Sequence, residues 1–197
     1  MTERKAVFID KDGTLIHDVP YNVDPALIEL QPLAGQSLRA LKDSGYTLIV
    51  VSNQSGVAKG YFTESALQDV QSRIRQLLAA YDVALDGFYY CPHHPEGVLP
   101  EHSIVCACRK PQPGMILTAS RELGIDLHLS WMIGDILDDI EAGNVAGCTT
   151  ILLDNGNETE FKWSERRKPA FTAGSLREAA DIIVNKKIHG TAAPSIH

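Results

Sequence analysis

Two acidic residues, Asp10 and Asp12, stand one residue apart in the run Asp10-Lys11-Asp12-Gly13-Thr14, directly after the apolar stretch Ala6-Val7-Phe8-Ile9. In extended backbone, residues i and i+2 face the same side, so both carboxylates open on one volume. Held close they repel, and the arrangement becomes cheap only when a cation lies between them or one carries a proton. Phosphate-ester chemistry uses both outcomes. One aspartate, aided by Mg²⁺, attacks phosphorus as a covalent nucleophile, while the other protonates the leaving alkoxide and later activates water. An isolated Asp-x-Asp-Gly is equally a strand-end turn in which Asp and Gly satisfy the backbone, so the pair needs company to mean chemistry.

That company stands at other strand ends. The apolar run ending Val50-Val51 continues into Ser52-Asn53-Gln54-Ser55-Gly56, which places a hydroxyl and amides where they can donate to a phosphoryl group. Further on, Ile133-Gly134-Asp135-Ile136-Leu137-Asp138-Asp139 adds carboxylates. Mg²⁺ takes a few carboxylate oxygens and keeps several waters, so Asp10, Asp135 and a backbone carbonyl near Asp12 suffice to hold it. Alone, Asp135 and Asp139 would read as caps of the following helix. Between these segments lies Cys108-Arg109-Lys110-Pro111. A lysine suits phosphate as a point charge, and an arginine grips a second anionic group bidentately.

A second constellation is Cys91-Pro92-His93 with Cys106-Ala107-Cys108. Three thiolates and an imidazole match closed tetrahedral zinc coordination, a structural role; His94 and His102 are spare candidates, and a reduced, metal-free loop is the alternative. A zinc ion there would pin the loop and aim Arg109 and Lys110, which follow the last ligand directly. Cys148, beside an apolar strand, reads as a small core residue.

These residues need elements to position them. Short β-rich runs alternate with segments of helical period, which indicates βαβ units and a parallel sheet covered by helices. Strands are predicted at Ala6 to Ile9, Thr47 to Val51, Gly87 to Cys91, Trp131 to Ile133 and Thr150 to Leu153. Helices are predicted at about Leu33 to Asp43, from a cap at Thr63 to near Tyr81, Gly114 to Leu123, Asp138 to Val145 and Ser175 to Val184. Residues 154–169 read as a polar loop, and the end after Lys187 as frayed.

The chain has 197 residues, enough for one good core, and no linker suggests a second domain. A net charge of -7 argues against nucleic acid or anionic membrane as partner, since both are repelled at a distance. The polar start Met1 to Lys5 and the absence of a long apolar run predict neither secretion signal nor membrane span. The cytoplasm is the expected location, where clustered cysteines bind metal more readily than they form disulfides.

In order and at strand ends, Asp10-Lys11-Asp12-Gly13-Thr14, Ser52, Lys110 and Gly134-Asp135 to Asp139 resemble the signature of the haloacid dehalogenase superfamily of phosphatases. The resemblance narrows to the bacterial D-glycero-D-manno-heptose-1,7-bisphosphate 7-phosphatases over roughly residues 6 to 185. It is carried by Asn53-Gln54-Ser55-Gly56-Val57-Ala58-Lys59-Gly60 with Phe62-Thr63-Glu64, Tyr89-Tyr90-Cys91-Pro92-His93-His94-Pro95, and Cys106-Ala107-Cys108-Arg109-Lys110-Pro111 with Pro113-Gly114-Met115. It implies an α/β, Rossmann-like three-layer sandwich with a mainly parallel sheet, a zinc-pinned loop and no separate cap domain, spanning residues 1–187 with a disordered tail at 188–197. The loops after Asp12 and Cys91 are themselves too short for a folded lid.

The implied roles are Asp10 as nucleophile, Asp12 as acid and base, and Ser52 and Lys110 as phosphoryl stabilisers. Arg109 is implied to recognise substrate, with Asp18, Tyr21, Asn53, Gln54 and Ser55 as further contacts. Asp10, Asp12 and Asp135 would hold Mg²⁺, and Cys91, His93, Cys106 and Cys108 would hold Zn²⁺. The implied reaction removes the C7 phosphate of the heptose bisphosphate on the way to ADP-heptose or GDP-heptose. The expected partner is a small phosphorylated sugar, with no nucleic acid, membrane or second subunit. One position departs from the pattern: the residue after Asp135 is often basic in such relatives and is Ile136 here. Histidinol-phosphate phosphatase, a relative that shares the aspartates and the zinc loop, is the nearest competitor, disfavoured by a second anion site at Arg109. A polynucleotide 3′-phosphatase is disfavoured by the net charge and the lack of a basic, aromatic track. A zinc-stabilised binding module without catalysis has no physical reason to keep mutually repelling carboxylates.

Overall fold

The computed structural model describes residues 4–158 and 162–186; the tail expected at 188–197 lies outside them. Six strands, β1 (Ala6–Ile9), β2 (Thr47–Asn53), β3 (Gly87–Cys91), β4 (Trp131–Gly134), β5 (Thr149–Leu153) and β6 (Phe171–Ala173), form one sheet in the order β3-β2-β1-β4-β5-β6. Every neighbouring pair is parallel. Among the described residues the helices are α1 (Ala34–Asp43), α2 (Ala66–Ala79), α3 (Gly114–Leu123), α4 (Leu137–Ala146) and α5 (Leu176–Asn185).

The central strands are apolar at successive positions because both faces are covered. Val7 and Ile9 of β1 pack with residues of α1, α2 and α5, while Ala6 and Phe8 pack on the other face with residues of α3 and α4. Three layers follow. At α3 and α4 the helix stops are glycines, Gly124 and Gly147, in left-handed backbone.

The strand order reverses direction between β1 and β4. In open parallel sheets the crevice beyond the carboxyl ends at such a point is where ligands bind. Pairing of Ile9 with both Val50 and Ile133 brings the strand ends level, so the polar residues just beyond them converge.

The short edge strand β6 lies outside the expected elements; it has three residues, and Thr172 is exposed. Two expectations need correction. Residues 165–167 of the expected polar loop form a 3₁₀ turn. α2 begins at Ala66, because Thr63 to Ser65 form a turn in which the two hydroxyls bond each other (2.7 Å) and no side chain caps the helix. Among the described residues, the segment between Asp12 and α1 holds only isolated bridges and one 3₁₀ turn, and Pro92 to Pro113 holds neither helix nor strand. Neither loop carries a folded lid. No helix among the described residues is long and apolar enough to cross a membrane.

Candidate active site

Beyond β1, Asp10 is anchored by its backbone amide on the Ile133 carbonyl of β4 (3.0 Å). Its carboxylate pairs with the ammonium of Lys110, which also meets Asp139 (2.6 Å) and donates to the Val51 carbonyl at the end of β2 (3.0 Å). Lys110 is 2% exposed and Asp139 is fully buried. The lysine backbone is held in turn by Asn53, whose amide donates to the Lys110 carbonyl (3.0 Å) and accepts from its N–H (3.0 Å). The basic residue thus arrives from a long loop but is fixed to two strand ends.

Asp135, beyond β4, accepts from the Thr14 hydroxyl on one oxygen (3.2 Å) and from the Asn157 amide on the other (2.7 Å). Asp10, Asp135 and Asp139 offer oxygens that all lie within 4.8 Å of one another. Burial, with Asp139 and Asp12 adding to it against the pull of Lys110, pushes Asp10 up to about 7. Burial and the charge on Asp10 push Asp135 up to about 7, and burial pushes Asp139 up to about 6. For Lys110, burial works downward, but Asp10 and Asp139 outweigh it and raise its pKa. Three carboxylates around one ammonium leave two negative charges in a poorly solvated space. A hard divalent cation matches that deficit in charge and donor type. Asp139 is committed to Lys110, which leaves Asp10 and Asp135 as the carboxylates for the ion. Asp12 turns its own carboxylate away from this cluster, toward Lys11 and Gln54.

The Asp12 side chain is about one-third exposed at the mouth. Lys11 holds one of its oxygens (2.8 Å), and the Gln54 amide donates to the other (3.2 Å). Gln54 also donates to the Ser52 oxygen (2.7 Å), so the Ser52 O–H is left to donate toward a ligand. Asp10, Asp12, Asp18, Ser52, Lys110 and Asp135 line a cleft of about 200 Å³, with Ile136 as an apolar part of its wall. A neighbouring cleft of about 250 Å³ shares Asp12, Asp18 and Asn53 and adds Tyr21, Gln54, Ser55 and Phe62. Burial and the nearby Asp12 raise the pKa of Asp18. At this rim Lys59 donates to the Tyr21 hydroxyl (2.8 Å), and Tyr21 meets the Tyr61 ring edge-on at 4.7 Å. Arg109 donates to the His93 carbonyl (3.3 Å). Burial, followed by Arg109 and Lys59, lowers the pKa of His94.

The four zinc-type residues also converge. The Cys108 sulfur lies 3.1 Å from Cys91, 3.2 Å from Cys106 and 3.4 Å from His93 Nδ1, and Cys91 lies 3.5 Å from Cys106 and 3.6 Å from His93 Nδ1. A tetrahedral zinc with Zn–S of about 2.3 Å sets donor separations of about 3.6 to 3.8 Å, so the set fits after slight expansion. Burial works to raise the Cys106 thiol, but hydrogen bonds from Cys108 and the Arg109 backbone bring it down to about 7. Cys106→Ala removes one donor and is expected to lower zinc content and melting temperature; elemental analysis and a melting curve check both. Zinc content equal to that of the unsubstituted protein would show the ligand set to be wrong.

A family model described as HAD-hydrolase-like matches residues 107–179. The D-glycero-beta-D-manno-heptose-1,7-bisphosphate 7-phosphatase of Haemophilus ducreyi is 44% identical over 186 residues, 94% of this chain and 95% of that one. The chain belongs to the HAD-like hydrolases. Its relative of the same name from Escherichia coli K12 is 44% identical over 148 residues, covering 75% of this chain and 78% of the other. The solved D,D-heptose 1,7-bisphosphate phosphatase from B. bronchiseptica, complexed with magnesium and phosphate, superposes with a TM-score of 0.73 at 26% identity, over 92% of this chain and 98% of that one.

In this HAD-like hydrolase the sequence reading found the residues at the strand ends but missed what holds them. Asp139, read alone as a helix cap and in company as part of the acidic signature, is the buried partner of Lys110, a pairing not expected from the sequence. Asn53, expected as a substrate contact, lines both clefts and is also bonded through its amide to the Lys110 backbone. Asn157 and Asn155 lay in a stretch read only as polar loop, and no local pattern singles them out.

Proposed function

We propose that this chain is a Mg²⁺-dependent phosphoric monoester hydrolase that removes the C7 phosphate of D-glycero-D-manno-heptose 1,7-bisphosphate, through an aspartyl-phosphate on Asp10, with residues 1–187 acting as one domain. The observation that carries the reading is the cleft in which Asp10, Ser52, Lys110 and Asp135 meet at three strand ends. A phosphoryl group there would receive the Ser52 hydroxyl and the Lys110 ammonium while its phosphorus faces Asp10. Bound between Asp10, the backbone at Asp12 and Asp135, Mg²⁺ would neutralise charge on the phosphoryl oxygens and on the nucleophile. Asp10 attacks phosphorus and the bond to the C7 oxygen breaks, with Asp12 supplying that oxygen's proton. Asp12 then takes a proton from water as it attacks the same phosphorus, and the Asp10–phosphorus bond breaks to release inorganic phosphate. Cys91, His93, Cys106 and Cys108 would hold a structural Zn²⁺ that keeps the Arg109-Lys110 segment in place.

Specificity for a second phosphate fits the rim. Lys11 and Lys110 are paired with carboxylates, whereas no carboxylate among the described residues lies within ion-pair distance of Arg109 or Lys59. These two cations suit the phosphate that stays on C1. Arg109→Ala is therefore expected to raise KM for the bisphosphate about 10- to 100-fold, the worth of one or two charge-assisted hydrogen bonds, while hydrolysis of a sugar carrying a single terminal phosphate changes little. Steady-state kinetics on the heptose bisphosphate and on histidinol phosphate decide the substrate class. A higher kcat/KM for the bisphosphate is the expected result, and a clear preference for histidinol phosphate would refute the assignment.

A further inference from the structure

The segment after β5 reaches back across the metal site at three points. The Asn155 amide donates to the Gly13 carbonyl (2.9 Å), the Asn157 amide donates to Asp135 (2.7 Å), and a Glu158 carboxylate oxygen accepts from the Leu137 amide (2.6 Å). Leu137 is the first residue of α4, so Glu158 satisfies one of the amides that a helix start leaves without an internal partner. The segment is also shaped internally: the Asn157 N–H donates to the Asn155 side-chain oxygen (3.2 Å), and Gly156 has a φ of +86°. We propose that this loop is a third wall of the metal centre, in which Asn157 orients the carboxylate of Asp135 and Asn155 fixes the turn at Gly13, so that the pair sets the affinity for the divalent ion.

The type of residue fits the task. Asp135 is 4% exposed and must keep its negative charge to attract a cation. A lysine or arginine at position 157 would neutralise that charge, and an aspartate would add repulsion. A neutral amide holds the carboxylate plane and leaves the charge available. With the Thr14 hydroxyl on the other oxygen, each Asp135 oxygen accepts one protein donor and keeps a lone pair. Asn155 acts likewise on the Gly13 carbonyl, which it shares with the Gln31 amide (3.2 Å). The loops approach closely at Gly13. At a φ of +79°, a Cβ there would lie 2.0 Å from an Asp135 carboxylate oxygen and 2.5 Å from the Asn157 amide nitrogen, so only glycine lets all three loops meet.

Both asparagines are positioning residues, and the inference rests on the Mg²⁺ reading above. Groups that orient metal ligands typically cost 10- to 100-fold in affinity when removed. The test is direct titration of the zinc-loaded protein with Mg²⁺ by calorimetry, for the unsubstituted chain, Asn157→Ala and the milder Asn157→Ser. The expected result is binding about 10- to 100-fold weaker in Asn157→Ala, a smaller loss in Asn157→Ser, and melting temperatures of the zinc-loaded, Mg²⁺-free proteins within a few degrees of one another. Equal affinity in all three proteins would overturn this inference alone. No Mg²⁺ binding by the unsubstituted chain would defeat the metal reading, and this inference with it.

Discussion

Asp10→Asn is expected to lower turnover by about 10⁴-fold or more while leaving the chain folded. The amide has nearly the shape of the carboxylate but is a poor nucleophile and a weak ligand for a hard cation, so two contributions to the same step disappear together. The fold tolerates the change because the Asp10 charge stabilises little by itself. Burial and two neighbouring carboxylates work against it, as its raised pKa of about 7 records. Lys110 keeps its bond to Asp139 when Asp10 becomes neutral. A steady-state assay beside a melting curve checks both halves. Retention of even a tenth of the rate, with Mg²⁺ present, is incompatible with covalent catalysis at this position.

Lys110→Met is expected to damage stability and turnover together, the second large effect. The ammonium is buried, and its removal strands Asp10 and Asp139 without their cation. Breaking a buried pair by deleting one partner typically costs about 3–5 kcal/mol. The same substitution removes a fixed positive charge from the place where phosphoryl charge develops, worth about 10² to 10³ in rate. The two effects are separable. Adding Asp139→Asn to Lys110→Met removes one stranded carboxylate, so denaturant unfolding should recover part of the lost stability while turnover stays at the level of the single variant. Recovery of turnover in the double variant would mean that Lys110 acts only as a structural counter-ion.

Much of the site was legible because of how buried parallel strands are encoded. β1 and β4 are covered on both faces and read as unbroken apolar runs, so Asp10 and Asp135 stand out as the first charges after them. The convergence of Cys91, His93, Cys106 and Cys108 was legible for another reason: few residue sets offer three thiolates and an imidazole in two short hooks. What stayed hidden depends on contacts distant in sequence. Asn155 bonds a carbonyl 142 residues away, and nothing in its polar neighbourhood distinguishes it from a solvated turn. Asp139 sits where a helix-capping acid belongs and does accept the Ile136 amide (3.4 Å), so its second oxygen's ion pair with Lys110 has no local signature. β6 escaped because a three-residue edge strand with an exposed centre offers too few positions for a period to show.

On the proposed mechanism the phosphoryl group passes through a bond to Asp10. Acid quenching during turnover, followed by peptide mass analysis, tests it most directly, with Asp12→Asn included because that variant lacks the group that activates water and should accumulate the intermediate. One phosphate is expected on the peptide carrying positions 10 and 12, in both proteins and in larger amount in Asp12→Asn, where the only aspartate left of the two is Asp10. A peptide that stays unmodified in Asp12→Asn while substrate is still consumed would contradict it.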